Sequence, residues 1–236
     1  MAYVVVGNVY NSKKSGQFTI LKKNTKKVLV RFNQTGYTKV VHYNSVYKGE
    51  IKDPYYPTLY GVGFLGEGIY STKNKKLYKL WKNMIERCYC DKRNKAYEDC
   101  SVVKRWHNFQ LFCEDIIKMK NWNKRGYALD KDLRVLKNKK YGPRYCSFLP
   151  YEVNNVFRSN RWKDRKLPEG VHLNKGSYVA RFSLNGSFVY LGRFKSIEKA
   201  QKVVAKAKSK TMRAFAVKYK NKIHREVYNN LIKGTS

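Results

Sequence analysis

Residues 128–155 read ALDKDLRVLKNKKYGPRYCSFLPYEVNN, and the rest of the chain is arranged around them. The stretch predicts a strand over Tyr127–Val135, a lysine-rich turn, a second short strand over Tyr145–Leu149, and a helix opening near Pro150. Proline suits the start of a helix, because its φ is already helical and its missing N–H would have had no partner there. With 236 residues, the chain has room for one large domain or two to three small ones.

Strand, turn, strand, helix is the outline of a ββα-metal nuclease site, and the residues around it carry the likeness further. The segment 60–157 resembles the HNH-type endonucleases common in bacteriophage genomes, many of them homing enzymes. The matching positions begin with Gly61–Val62–Gly63, Tyr78, Trp81, Met84, Arg87, Cys88, Trp106, Phe109 and Phe112. They continue through Leu129–Asp130–Lys131–Asp132, Asn138, Tyr141, Pro143, Cys146, Pro150 and Asn154. The resemblance implies cleavage of double-stranded DNA with Mg²⁺ or another divalent cation, in the cytoplasm of an infected bacterial host. It makes Asp130 and Asn154 the metal ligands, and such hard oxygen donors suit Mg²⁺.

One position departs from the family. Its general-base histidine follows the first aspartate, and here that place holds Lys131. The candidate catalytic set is therefore Asp130, Lys131 and Asn154. A lysine of ordinary pKa ~10.4 needs about 4.6 kcal/mol of perturbation before half of it is neutral at pH 7. Lys131 is thus a poor base and a better phosphate contact. Two readings follow: an altered but active nuclease, or a catalytically inactive DNA-binding regulator or architectural protein on the same scaffold. Asp132 and Glu152 are spare carboxylates nearby, Glu152 reading as a surface acid. Lys137, Lys139 and Lys140 in the turn read as DNA phosphate contacts or as a solvated loop.

Charge narrows the partner. The formal net charge is +35, from 51 basic and 16 acidic residues, and it is spread along the chain. Self-repulsion of that size opposes compaction and is relieved by a polyanion. Basic residues interleaved with 20 Tyr and 11 Phe make nucleic acid the leading partner, with RNA as the alternative to duplex DNA. The start MAYVVVGNVY lacks the build of a secretory signal, and no run approaches the ~20 apolar residues of a membrane span. The expectation is a soluble intracellular protein with no membrane partner; the oligomeric state is not legible.

Three modules are expected, all α+β in combination. Residues 1–58 alternate strand-like runs with turns (YVVVGNVY, QFTILKK, VLVRF, YTKVVHY, YKGEIKD), which predicts a small five-stranded antiparallel β-barrel. It reads equally as a nucleic-acid platform or a stabilising cap. Residues 59–160 form the HNH-like core, with amphipathic helices over 75–89 and 105–119 supporting it. GVGFLG (61–66) has the spacing of a dinucleotide fingerprint but lacks the βαβ context, so its glycines are read as backbone turns. Cys88-x-Cys90 is too tight for a zinc knuckle and no second pair follows, so structural zinc through Cys88, Cys100, Cys146 and Cys113 or His107 is disfavoured. His107 is read as the exposed side of its helix.

Residues 161–236 open with a basic linker and continue as three strands and a helix. Asn185–Gly186 is a hairpin signal and Ser196 an N-cap. Gly170–Val171, the Tyr178–Ala180–Phe182 alternation, Leu191–Gly192–x–Phe194 and the alanine-rich helix resemble the Apetala-two type DNA-binding domain, which lays such a sheet in the major groove. Alternation turns Tyr178, Ala180 and Phe182 toward the helix. The DNA-facing set is then His172, Asn174, Lys175, Arg181, Ser183 and Tyr190, with Arg181 suited to guanine and Asn174 to adenine. The tail from Lys218 reads as a basic helix following the DNA backbone.

Overall fold

The computed structural model describes residues 4–90, 97–156, 166–184 and 186–234. Residues 161–165 of the expected linker and Asn185 of the expected hairpin lie outside them. The chain is α+β and folds as two compact units, Met1–Glu114 and Asp115–Ser236. The sequence pattern suggested boundaries after residues 58 and 160. The observed division falls elsewhere because residues 127–156 share one core with the C-terminal helices. No helix among the described residues is long and apolar enough to cross a membrane.

In the first unit, β1 (Val9–Ser12), β2 (Gly16–Lys23), β3 (Lys27–Phe32) and β4 (Thr38–His42) form an antiparallel meander in that order. Alternation along β2 and β3 buries Phe18, Ile20, Val28, Val30 and Phe32 against Val4, Val46 and Ile51. The fifth expected strand is instead the end of helix α1 (Tyr43–Lys48) and the turn after it. Gly49, left-handed at φ 59°, donates its N–H to the carbonyls of Ser45 and Val46 and stops that helix. The strand pairings of the described residues accordingly give a four-stranded sheet in place of five strands.

Helix α2 (Lys75–Tyr89) buries Leu77, Trp81, Met84 and Ile85 on one face. Trp81 donates its indole N–H to the carbonyl of Trp106 at 2.8 Å and packs on Phe109. The expected second helix divides: a 3-10 turn at Lys104–His107 follows β5 (Ser101–Val102), and α3 is Phe109–Lys118. His107 is half-buried there, between the Tyr89 hydroxyl and the Val102 carbonyl, and burial lowers its pKa. Gly63 lies against Trp81, where an added Cβ would come within 3.1 Å of the ring; that close approach accounts for one of the fingerprint-like glycines.

In the second unit, β6 (Tyr127–Asp130) pairs antiparallel with β8 (Ser147–Pro150), with β7 (Lys140–Tyr141) between them in sequence. Helix α4 (Tyr151–Val156) follows β8 directly and packs on both paired strands. The sheet of β9 (Val171–Asn174), β10 (Ser177–Leu184) and β11 (Ser187–Phe194) has the order β11-β10-β9. Helix α5 (Ile197–Tyr219) lies on it, its N-cap Ser196 accepting from the Lys199 N–H.

The expected tail helix is two helices, α5 and α6 (Arg225–Lys233). Ile223, Val227 and Leu231 of that region join Leu133, Leu149, Val153, Met212 and Phe215 in one buried cluster, so α6 turns an apolar face inward. Leu231 is fully buried in it, and a Leu→Ala change at such sites costs about 2–5 kcal/mol. Leu231→Ala should therefore lower the free energy of unfolding of the second unit by that amount in urea titrations, whereas Ile232→Ala, at an exposed neighbour, should leave it nearly unchanged.

Candidate functional site

Asp130 ends β6 opposite Ser147, the first residue of β8. It is only 5% exposed. Its Oδ2 accepts the backbone N–H groups of Asp132 (2.9 Å) and Leu133 (2.8 Å), which turns the chain sharply out of the strand. Both amides use one oxygen, and Oδ1 has no hydrogen bond among the described residues. Burial nonetheless dominates: it raises the Asp130 pKa to about 6, despite the opposing pull of those amides and of Lys131. A buried carboxyl held near neutrality is the kind of group found at functional sites.

Lys131 is also buried, at 7% exposure. Its ammonium donates to Asp132 Oδ1 and, at 3.4 Å, to the Asn138 carbonyl, and it sits 5.9 Å from the Tyr141 ring centre. Asp132, more than half exposed, closes that pair from the solvent side. Asn138 ties the loop together: its Nδ2 donates to the carbonyls of Lys131 (2.9 Å) and Lys140 (2.6 Å), and its Oδ1 accepts from Lys140 N. The strand expected to reach Val135 stops at Asp130 because this network replaces the ladder. Lys137, at φ 60°, Lys139 and Lys140 point into solvent from the loop.

Asn154 is half-exposed on α4, next to the buried Val153. No hydrogen bond joins it to Asp130 among the described residues; the two are linked through packed elements. Glu152, read as a surface acid, is engaged: Lys218 (2.7 Å) and the Tyr219 hydroxyl both donate to it and pin α4 to α5.

The donors present suit a hard cation. Asp130 and Asn154 offer oxygen, while burial pushes the neighbouring Cys146 thiol up to about 12, so it stays protonated and supplies no soft thiolate. All five cysteines are free thiols. Among the described residues no group of three or more His, Cys, Asp or Glu could hold a metal ion. A cation at Asp130 would thus be held by few protein groups and complete its shell with water and phosphate, which is the habit of Mg²⁺.

The residues expected to face DNA lie on one side of the C-terminal sheet. Tyr178, Ala180 and Phe182 turn inward, Ala180 against Val171, Ala200 and Val204. A bulge between Ala180 and Arg181 shifts the β10–β11 register, so that Arg181 faces Tyr190 and Ser183 faces Phe188, while on the other side Val179 faces His172 in the regular ladder with β9. The Arg181 guanidinium lies 4.8 Å from the Phe188 ring centre and 3.4 Å from His172 Nδ1; its buried Nε has no hydrogen-bond partner among the described residues. Phe188 and Tyr190 are each about two-thirds exposed. Asn174 and Lys175 border the tight turn into β10, Lys175 at φ 45°. Phe188, on the same outer face by strand alternation, is the ring against which Arg181 lies.

No protein-family model, no curated protein and no solved structure matches this chain.

A carboxyl raised from 3.8 to about 6 carries roughly 3 kcal/mol between its two protonation states. Its folded-state pKa lies above the unfolded value, so its contribution to stability is fully present below pH ~4 and is lost as pH rises through about 6. Asp130→Asn should match wild type near pH 4 and exceed it by up to roughly 3 kcal/mol above pH 7. Urea denaturation across pH 4–8 checks this.

Proposed function

We propose that the chain is a DNA-binding protein of the HNH endonuclease type, hydrolysing phosphodiester bonds with Mg²⁺ at an altered site. The observation that carries this reading is Asp130: a buried carboxylate, paid for in stability, with one oxygen fixed by backbone and the other without a hydrogen bond among the described residues, on a strand pair that runs into the Asn154 helix. The resemblance across residues 60–157 supplies the reaction class. The net charge of +35 supports a polyanionic partner.

In this reading, Asp130 and Asn154 hold the cation, and Asn138 fixes the loop that carries Lys131. A divalent cation bound there supplies charge neutralisation at the scissile phosphate and its leaving oxygen. Lys131, ion-paired with Asp132, serves as a fixed positive charge and not as the base. The C-terminal sheet binds duplex through Arg181, His172, Asn174 and Tyr190, and Lys137, Lys139 and Lys140 meet phosphate. A second reading, binding without cleavage, is favoured by that same ion pair, because the position after Asp130 holds this lysine and not a histidine able to accept a proton.

Supercoiled DNA incubated with Mg²⁺ tests the choice. Nicking by wild type and its loss in Asp130→Ala are expected; binding by both without nicking by either would leave the regulator. Lys131→His should raise the nicking rate at least tenfold where the missing base is limiting. Arg181→Ala should weaken duplex binding by about 1–3 kcal/mol in a gel-shift titration, and RNA competing better than duplex would reassign the partner.

A further inference from the structure

The second unit holds a cavity of about 220 Å³ that takes no part in the reading above. Lys118, Lys120, Arg134, Ser147, Lys222 and His224 supply its polar lining, Met119, Pro143, Cys146 and Phe148 its apolar lining, and no carboxylate lines it. The walls are tied together. Lys120 Nζ donates to the Asn221 carbonyl at 2.7 Å, and Asn121 Nδ2 to the Lys222 carbonyl at 2.6 Å. One acid approaches from α6: Glu226 pairs with His224, and its pKa is lowered by a backbone N–H first and by His224 and Arg134 after it.

Two features of the lining point to an anion. Among the described residues Arg134 is held by one nitrogen: Nη1 donates to the carbonyls of Pro143 (2.8 Å) and Cys146 (3.3 Å), while Asn230 fixes its backbone carbonyl from α6. The remaining guanidinium donors are therefore oriented in advance, as phosphate recognition favours. Ser147 is 8% exposed and its hydroxyl has no hydrogen-bond partner among the described residues. A buried orphan hydroxyl is unfavourable and rare in folded proteins, and an absent ion or water is a standard cause. Size selects the class of ligand. About 220 Å³ falls below the ~300–1,000 Å³ of clefts that take whole small molecules, yet holds on the order of seven waters at ~30 Å³ each.

We propose that this cavity seats a phosphate group, gripped by the Arg134 guanidinium and the Ser147 hydroxyl, with the surrounding lysines adding positive charge. The seat stands on its own geometry; only a DNA source for the phosphate rests on the function proposed above. Thermal melts of the full chain in inorganic phosphate, against chloride of equal ionic strength, test it. Wild type should melt higher in phosphate. Ser147→Ala should melt higher than wild type in chloride, having lost an orphan hydroxyl, yet lose most of the phosphate-induced rise. Lys222→Gln should lose that rise too, while Lys39→Gln, on the exposed β4, keeps it. An equal rise in all three variants would overturn the proposal.

Duplex titrations over a range of salt then separate the sources. If the seat takes a backbone phosphate, inorganic phosphate competes with DNA and Lys222→Gln reduces the salt slope by about 1. An unchanged slope, with the phosphate rise still lost in Lys222→Gln, assigns the seat to the free ion. Nicking by wild type and its loss in Asp130→Ala are read separately, so failure of the seat and failure of the nuclease reading remain distinct.

Discussion

The second unit depends on the apolar contact that α6 and the end of α5 make with the strand pair and α4. Residues 127–156 bring Leu133, Leu149, Val153 and Val156 to that contact, too few to bury themselves in a segment of that length. Met212, Phe215, Ala216, Val227 and Leu231 complete the cluster from the C-terminal helices. Asn230 reinforces it by donating to the carbonyl of Leu133 at 2.9 Å. Leu133 is also the residue whose N–H holds Asp130. The cover that stabilises the core is therefore connected by one residue to the carboxylate whose pKa burial raises.

That coupling explains why the units do not follow the modules suggested by sequence. The strands and helices around residues 127–156 were legible because turn residues and a proline punctuate them. The inner face of β10 was legible from alternation alone, since Tyr178, Ala180 and Phe182 occupy one side of a strand of period two. The role of α6 was not, because a run as rich in lysine as KYKNKIHREVYNNLIKG advertises its charged face. Its apolar face is only Val227 and Leu231 with partly buried Tyr228, and Ile223 joins them from just before the helix. α1 escaped for a related reason: Tyr43–Lys48 has β-prone residues, and only Gly49 marks it as a helix with a left-handed stop.

The sequence singled out Asp130 and Asn154 but gave no sign of what surrounds them. Asp130's raised pKa comes first from desolvation, a property of the folded cover and not of its neighbours in the chain. The Lys131–Asp132 pair was invisible for the opposite reason. Two adjacent charged residues normally point apart along a strand, and here they meet because the strand has already ended at Asp130. Arg134 read as one more basic residue among 51, and only the carbonyls of Pro143 and Cys146 distinguish it.

The local charge balance then bears on how such a site would meet DNA. With Asp130 and Asp132 ionised and Lys131 protonated, this cluster carries a net charge of about −1, which repels an approaching phosphate. Two changes relieve it. Protonation of Asp130 brings the cluster to zero, and burial already favours that form up to about pH 6. A divalent cation at Oδ1 would take it to +1 and turn repulsion into attraction. A histidine in place of Lys131 would remove a fixed positive charge and leave the carboxylates harder to satisfy without metal. The lysine therefore offsets part of the carboxylates' charge, where the HNH-type enzymes that this segment resembles would have a proton acceptor.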